Sequence, residues 1–176
     1  MRTFLLALLG GWIAGTLILG AVATQNFRMI DRLLSAPRSE LSSAIAPIGQ
    51  DQARIVLRHL SSELNRRYFI AWGFIQLVIG VVVVAGALGL RPMDRVGVTV
   101  AAALLTLVVA LVVLNWSIVP LGRNLDFLPR TPAPPALARF SRLHLVYTSL
   151  DALKLIVCVW LLIRWSRRAN RLALKR

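Results

Sequence analysis

The sequence predicts an all-α, polytopic integral membrane protein, with four transmembrane helices in an antiparallel bundle and an amphipathic interfacial helix between spans one and two. Of the 176 residues, 57% are hydrophobic and 16% are charged, whereas soluble domains carry about 25% charged residues. The charges are gathered in blocks. The four apolar runs between them are about 20 residues long, enough to cross a ~30 Å hydrocarbon core. We therefore expect a single membrane domain over residues 1–176.

The first span is predicted over residues 3–24, directly after Arg2. Its end, Ala21-Val22-Ala23, also has the A-x-A pattern of a signal-peptide cleavage site. A cleaved signal peptide over residues 1–23 is therefore the alternative interpretation. The apolar run is longer than the ~7–15 residues of a signal peptide. Gly11 and Gly15 form a small-xxx-small pair that lets a neighbouring helix approach closely. We therefore favour a retained transmembrane helix.

Residues 25–67 form the longest polar stretch, which Pro37 and Pro47 divide into pieces. Phe27–Leu34 is expected to continue the first helix past the membrane interface. Residues 51–67 are predicted to form an amphipathic helix, because apolar residues recur there at helical spacing. Such a helix lies in the headgroup plane or caps the bundle. The apolar residues are Ala53, Val56, Leu57, Leu60 and Leu64.

The second span is predicted over residues 68–90. Gln76 is the strongly polar residue in its interior. Gly73 and Gly80 lie one turn before and after Gln76, so a neighbouring helix can come close to the amide. A hydrogen bond between helices there contributes roughly 0.6–2 kcal/mol. We favour this packing role for Gln76 over contact with a ligand.

The third span is predicted over residues 96–119, after a tight turn, and Pro120 is expected to end it. A stripe of small residues predicts a packing face on this span. That stripe consists of Thr99, Ala103, Thr106 and Ala110. Residues 121–141 then form a proline-rich connection, expected to be stiff, extended and solvated. Local pairing of Arg123, Asp126 and Arg130 is the alternative to a solvated surface loop, which we favour.

The fourth span is predicted over residues 147–165, and a row of polar residues runs along it. Five polar residues follow one another at spacings of three, four, three and four, which places them on one side of a helix. They are His144, Tyr147, Asp151, Lys154 and Cys158, and we call this set the polar stripe. A charge at the centre of a lone transmembrane helix costs about 2.5–3.5 kcal/mol, so Asp151 and Lys154 require shelter.

Three arrangements would relieve this cost. Lys154 can extend toward the near interface, or Asp151 and Lys154, three residues apart, can pair with each other. Alternatively, the polar stripe faces the bundle interior or a partner and pairs with Gln76, Asn115 or an arginine of the long connection. We favour a structural ion pair, with a site for a ligand, a proton or a partner as the alternative. Cys158 is expected to be a small packing residue.

The net charge of +14, from 21 Lys and Arg against 7 Asp and Glu, fits contact with the lipid bilayer. We expect no nucleic-acid partner, because no aromatic-basic platform or recognition motif accompanies the charge. A basic tail covers residues 164–176. The basic residues divide almost evenly between the two sides of a four-span topology. We favour both termini in the cytoplasm because the tail is densely basic.

Several short elements resemble the four-helix domain of unknown function of the transmembrane protein 205-like family. The first is a glycine-bearing first span followed by Phe27-Arg28-Met29. The second is an amphipathic helix that runs directly into the second span, Leu57 to Trp72. The third is an F-x-x-L-H element, Phe140 to His144, which opens the fourth span. This resemblance implies four helices and no established activity or cofactor. The family usually carries a neutral polar residue in the fourth span, and Asp151 with Lys154 departs from that pattern.

The sequence contains no HExxH, GxSxG, Walker or dinucleotide-binding motif, so we expect no enzyme and no metal site. We expect a non-catalytic accessory or assembly subunit of a larger respiratory or photosynthetic membrane complex, in a bacterial inner membrane. Its partners would be other membrane subunits or a second copy of the chain. One alternative is a small transporter or channel-like oligomer that uses Asp151 and Lys154. Another is a haem-binding protein with His59 and His144 as ligands, although we expect no cofactor.

Overall fold

A computed structural model describes residues 1–128 and 132–173 of the chain. Within these residues there are five helices, and four of them are long and apolar enough to cross a membrane. The predicted all-α, four-span architecture is therefore confirmed. The helices are α1 (Arg2–Ser35), α2 (Ser39–Ile45), α3 (Gly49–Leu88), α4 (Arg95–Arg123) and α5 (Pro135–Ala173).

The four long helices pack as a closed ring, in which α1 contacts α3, α3 contacts α4, α4 contacts α5, and α5 returns to α1. Successive long helices run in opposite directions. We call the end that holds Met1, the connection 89–94 and the end of α5 the proximal end. The opposite end, with the connections around α2 and before α5, is the distal end. Ion pairs between Asp94 and α5 hold the proximal end together.

The proximal half of the bundle has one continuous apolar core, and all four long helices contribute to it. Trp12, Lys154 and Trp165 are among the largest fully buried side chains of the protein. Burial removes apolar surface from neighbouring lipid and replaces it with close side-chain packing, which drives helix association in a bilayer. The buried core residues are Leu5, Leu9, Trp12, Val83, Ala87, Leu90, Ala101, Leu104, Val108, Cys158, Leu161 and Trp165.

The distal half has two separate apolar clusters instead of one. The first joins α1, α2 and α3 through Ile30, Leu34, Ile45 and Ala53. The second is built on α4 and α5, with residues of α3 packed against it, and its buried members are Leu111, Ile118 and Tyr147. The bundle is therefore tightly closed at the proximal end and divided at the distal end.

The amphipathic segment 51–67 is helical, and it is continuous with the second span inside α3. It is thus not a separate helix in the headgroup plane. No proline lies within α3, so the helical backbone continues from Arg67 into Tyr68 without interruption. α3 has 40 residues, about 60 Å at 1.5 Å per residue, which exceeds the ~30 Å hydrocarbon core. Its polar half therefore extends beyond the apolar spans.

Three further expectations are corrected by the structure. α4 does not end at Pro120 but continues to Arg123. The connection expected over 121–141 is shorter, because α5 begins at Pro135, and proline is tolerated in the first turn of a helix. The small-residue stripe of α4 faces outward, and two of its threonines bond to their own helix backbone. The buried face of α4 instead carries Gly97, Ala101, Leu104, Val108, Leu111 and Asn115.

Candidate functional site

The charged centre of the fourth span lies inside the bundle. Lys154 is fully buried, and its Nζ donates to Asp151 Oδ1 at 2.5 Å and to Gln76 Oε1 at 2.5 Å. The same Gln76 oxygen accepts a hydrogen bond from Trp12 Nε1 at 3.0 Å. Three helices, α1, α3 and α5, therefore meet at one amide oxygen.

This arrangement decides between the three possibilities for Lys154. The ammonium does not extend to the interface, because its side chain is 0% exposed. It pairs with Asp151 and also with Gln76, and Asp151 keeps 24% of its side chain exposed. A buried ion pair of this kind replaces lost solvation by mutual attraction and additional hydrogen bonds. The ion pair lies within α5, and the bond from Lys154 to Gln76 is the polar cross-link between helices.

Glycines let the helices approach this centre. An added Cβ on Gly80 would lie 2.9 Å from Leu105 Cδ1, and one on Gly73 would lie 3.2 Å from Val112 Cγ2. Gly15 packs under the ring of Trp72, where a Cβ would be 2.3 Å from Cη2. Gly11 does not fit the packing role predicted for it, because nothing lies within 4 Å of its Cβ position.

A cavity of about 580 Å³ lies in the distal half of the bundle and is lined by residues of all four long helices. Its aromatic walls include Phe27, Phe69 and Phe140, and His144 also lines it. Asn115 and Tyr147 line it as well, and each is only 9% exposed. Within residues 1–128 and 132–173, neither side chain has a hydrogen-bond partner. Their polar atoms are not fully enclosed by protein, so both side chains are available to hydrogen-bond with a molecule in the cavity.

The cavity has a side opening between α1 and α5. Every residue of α1 from 17 to 29 is exposed or half-buried, and so is every residue of α5 from 135 to 146. Near the proximal end the same two helices share the core that contains Trp12 and Cys158. The two helices thus pack against each other in the proximal half, whereas their distal portions beside the cavity remain uncovered.

Outside the apolar spans, a charged network ties α3 to the connection after α4. Arg66 binds both oxygens of Asp126 at 2.7 Å, and His59 Nδ1 lies 2.7 Å from Asp126 Oδ2. Arg123 contacts both oxygens of Glu63, and Arg66 donates to one of them. The expectation of a solvated connection is therefore corrected at Asp126, whose partners lie on α3, and Arg130 lies outside the described residues.

The network changes the acidity of both carboxyl groups. The hydrogen bond from Arg123 is the largest influence on Glu63 and, with Arg66, it lowers the pKa of Glu63 from 4.5 to about 2. Burial raises the pKa of Asp126, but hydrogen bonds from Arg66 and His59 outweigh burial and hold that pKa below its ordinary value. Both groups are therefore carboxylates at neutral pH, and they fix the distal ends of α3 and α4 together.

The structure divides the polar stripe. Tyr147, Lys154 and Cys158 are buried, whereas His144 is exposed and stacks on Phe140 with centroids 5.8 Å apart. His59 has different neighbours, because its ring packs against Phe127 and its Nδ1 faces Asp126. The two histidines proposed as haem ligands are thus engaged in different contacts.

Sequence reasoning missed several residues of the site. Trp12 was one of them, although a tryptophan in the middle of a span, away from the interface, could have pointed to a buried hydrogen bond. Asn26 and Asn65, which bond to each other across α1 and α3 at 2.7 Å, were also missed. Asp126 was placed in solvent, and its long-range partners on α3 gave no signal in the local sequence.

No protein-family profile, curated protein or solved structure matches the chain. The fold and the site therefore carry the functional argument alone. Four apolar helices, a buried ion pair at their centre and a cavity beside it describe a small integral membrane protein.

Proposed function

We propose that the protein is a non-catalytic accessory or assembly subunit of a larger membrane complex, of the respiratory or photosynthetic kind. We further propose that it binds a transmembrane helix of a partner protein in the opening between α1 and α5. The observation that carries this proposal is the cavity of about 580 Å³, which is lined by Asn115 and Tyr147, two polar side chains with no hydrogen-bond partner among the described residues.

A helix is the occupant that the chemistry favours. Near the hydrocarbon, a partner element must satisfy its own backbone hydrogen bonds, and a helix does so. A polar side chain on that helix would complete the bonds of Tyr147 and Asn115, as polar residues do between membrane helices. The mostly apolar cavity walls, including Phe27 and Phe140, would cover most of the remaining helix surface, and Arg28 and Arg66 also line the cavity.

The test is site-specific photocrosslinking in native membranes. A photoreactive residue replaces Thr24 or Thr148, which both line the cavity, and matched controls carry it at Val109 or Val113 on the outward face of α4. We expect crosslinks to one protein of another kind from the first two positions and none from the controls. Tyr147→Phe should weaken those crosslinks, because it removes one hydrogen bond while keeping the ring.

Four outcomes would overturn the proposal. Crosslinks to lipid alone would make the cavity a lipid site, and crosslinks to a second copy of the chain would make the protein a homo-oligomer. Equal crosslinking from Val109 and Thr24 would show that the opening has no special role. A lone monomer on native gels after mild extraction would also contradict a stable complex.

Transport is the main alternative, and the structure gives it less support. The cavity extends to Tyr147, one helical turn before Asp151 in α5. Beyond Lys154, however, the continuous apolar core fills the proximal half of the bundle. A flux assay in liposomes with Asp151→Asn separates the two ideas, since an accessory subunit has no flux to lose. A haem role is tested by the absorption spectrum of the purified protein, where a Soret band would favour it.

We also propose that both termini lie in the cytoplasm of a bacterial inner membrane. The proximal end carries arginines at positions 2, 91, 95, 164, 167, 168 and 171, and four of these seven lie within the eight residues 164–171 of the basic tail. Positively charged flanks favour the cytoplasmic side. A C-terminal reporter that is active only in the cytoplasm should be active in this fusion, and a silent fusion of normal abundance would reverse the orientation.

A further inference from the structure

A second concave site lies at the proximal end, on the opposite side of the apolar core from the distal cavity. It is a groove of about 590 Å³ between α5 and the connection 89–94. One wall of the groove consists of four arginines on one side of α5, and another wall is apolar. The arginines are Arg164, Arg167, Arg168 and Arg171, and the apolar residues are Trp160 and Ile163.

One carboxylate fixes half of these arginines in place. Arg164 binds both oxygens of Asp94 at 2.8 Å, and Arg168 NH1 donates to Oδ1 at 2.8 Å. Asp94 is 3% exposed and stands at the start of α4, so it does not move with the tail. The hydrogen bond from Arg164 lowers the pKa of Asp94, and the carboxylate stays charged at neutral pH.

The groove nevertheless keeps a positive excess. Asp94 is the only carboxylate near it among residues 1–128 and 132–173, because the other six acids lie at the distal end or within the fourth span. Arg167 and Arg171, one turn apart, are exposed and form no ion pair within those residues. Four guanidinium groups against one carboxylate leave three positive charges to attract an anion.

The apolar wall distinguishes this site from a simple charged surface. Trp160 and Ile163 are 42% and 45% exposed and belong to the last turns of the apolar span. The guanidinium of Arg164 lies 5.3 Å from the centroid of the Trp160 ring, which joins the two walls. Aromatic residues with arginine neighbours are typical of the boundary between hydrocarbon and headgroups.

We propose that this groove binds one anionic phospholipid, with its phosphate at Arg167, Arg168 and Arg171 and an acyl chain along Trp160 and Ile163. Guanidinium groups match phosphate oxygens in geometry as well as in charge. Asp94 already holds Arg168 in position, so binding has to order only Arg167 and Arg171 among the three phosphate ligands. The proposal is independent of the partner helix at the distal end.

The test is native mass spectrometry of the full chain in detergent with added phosphatidylglycerol, phosphatidylcholine or inorganic phosphate. We expect one phosphatidylglycerol to be retained in preference to phosphatidylcholine. The double variant Arg167→Gln/Arg171→Gln should bind it roughly 30-fold more weakly, at about 1 kcal/mol per arginine. Both side chains are exposed, so the fold should be unchanged by circular dichroism.

The matched control is Arg139→Gln/Arg142→Gln, which removes the same charge from two exposed positions at the other end of α5. It should bind phosphatidylglycerol like the wild type. Equal weakening by both double variants would reduce the effect to general electrostatic attraction and overturn the proposal. Equal retention of phosphatidylcholine, or displacement of the lipid by millimolar phosphate, would also overturn it.

Discussion

The ion pair in the fourth span gives the sharpest test of the buried centre, through substitution of Asp151 and Lys154 singly and together. Asp151→Leu leaves the fully buried ammonium of Lys154 with Gln76 as its remaining acceptor. Removing one member of a buried pair costs about 3–5 kcal/mol of unfolding free energy. Lys154→Met should cost less, about 1–2 kcal/mol, because Asp151 is 24% exposed and can contact water.

The double variant Asp151→Leu/Lys154→Met should be more stable than Asp151→Leu alone, within about 1 kcal/mol of the wild type. Replacing a buried ion pair by apolar side chains of similar volume is often neutral or stabilising. The assay is equilibrium unfolding in mixed micelles with increasing sodium dodecyl sulfate, followed by tryptophan fluorescence. Ile156→Leu, at an outward-facing position that is 66% exposed, is the control and should match the wild type.

The result that would refute this reasoning is additivity. If the loss in the double variant equals the sum of the two single losses, Asp151 and Lys154 do not stabilise each other. An Asp151→Leu variant as stable as the wild type would show that Lys154 has another charged partner or is exposed to water.

Three further predictions concern other parts of the bundle. Gln76→Leu leaves two buried donors without their shared acceptor, and it should lower the unfolding free energy by about 3 kcal/mol in the same titration. Gly97→Ala should lower the unfolding free energy by about 1–3 kcal/mol, because the added Cβ would lie 2.5 Å from Trp165 Nε1. Gly10 lies in open space, so Gly10→Ala should raise the unfolding free energy by about 0.5–1 kcal/mol. The pKa of Glu63 in the folded protein is lowered from 4.5 to about 2. The contribution of Glu63 to the unfolding free energy is therefore complete above pH 4.5 and is lost as the pH falls toward 2. A thermal-melting series over that range should show a steeper loss for the wild type than for Glu63→Gln, and parallel curves would contradict it.

Composition and periodicity were sufficient for the four spans and the stripe on the fourth. An apolar run of about 20 residues has few alternatives to a membrane-spanning helix. The spacing of Tyr147, Lys154 and Cys158 fixes their common side on any helix, whatever the neighbours are. Gln76 was identified for the same reason, since one amide in an apolar span requires a partner.

The remainder depended on contacts between distant residues. The outward direction of the Thr99–Ala110 stripe is set by which side of α4 meets α3 and α5, and small residues alone do not determine this. The bond from Trp12 to Gln76 and the pairing of Asp126 with Arg66 join positions at least 60 residues apart. The cavity is lined by residues of all four long helices, so it is a property of helix packing and not of any one segment.

The most direct test of the central claim is photolabelling of the unmodified protein in its membrane with a lipid-soluble diazirine, followed by peptide mass spectrometry of α5. Lipid-facing residues react with such a reagent and buried residues are protected. We expect label on Leu153, Ile156 and Trp160, which are 46%, 66% and 42% exposed, and none on Lys154 or Cys158, which are fully buried. Label on Lys154 and Cys158 would place the charged side of the helix in lipid and contradict the account.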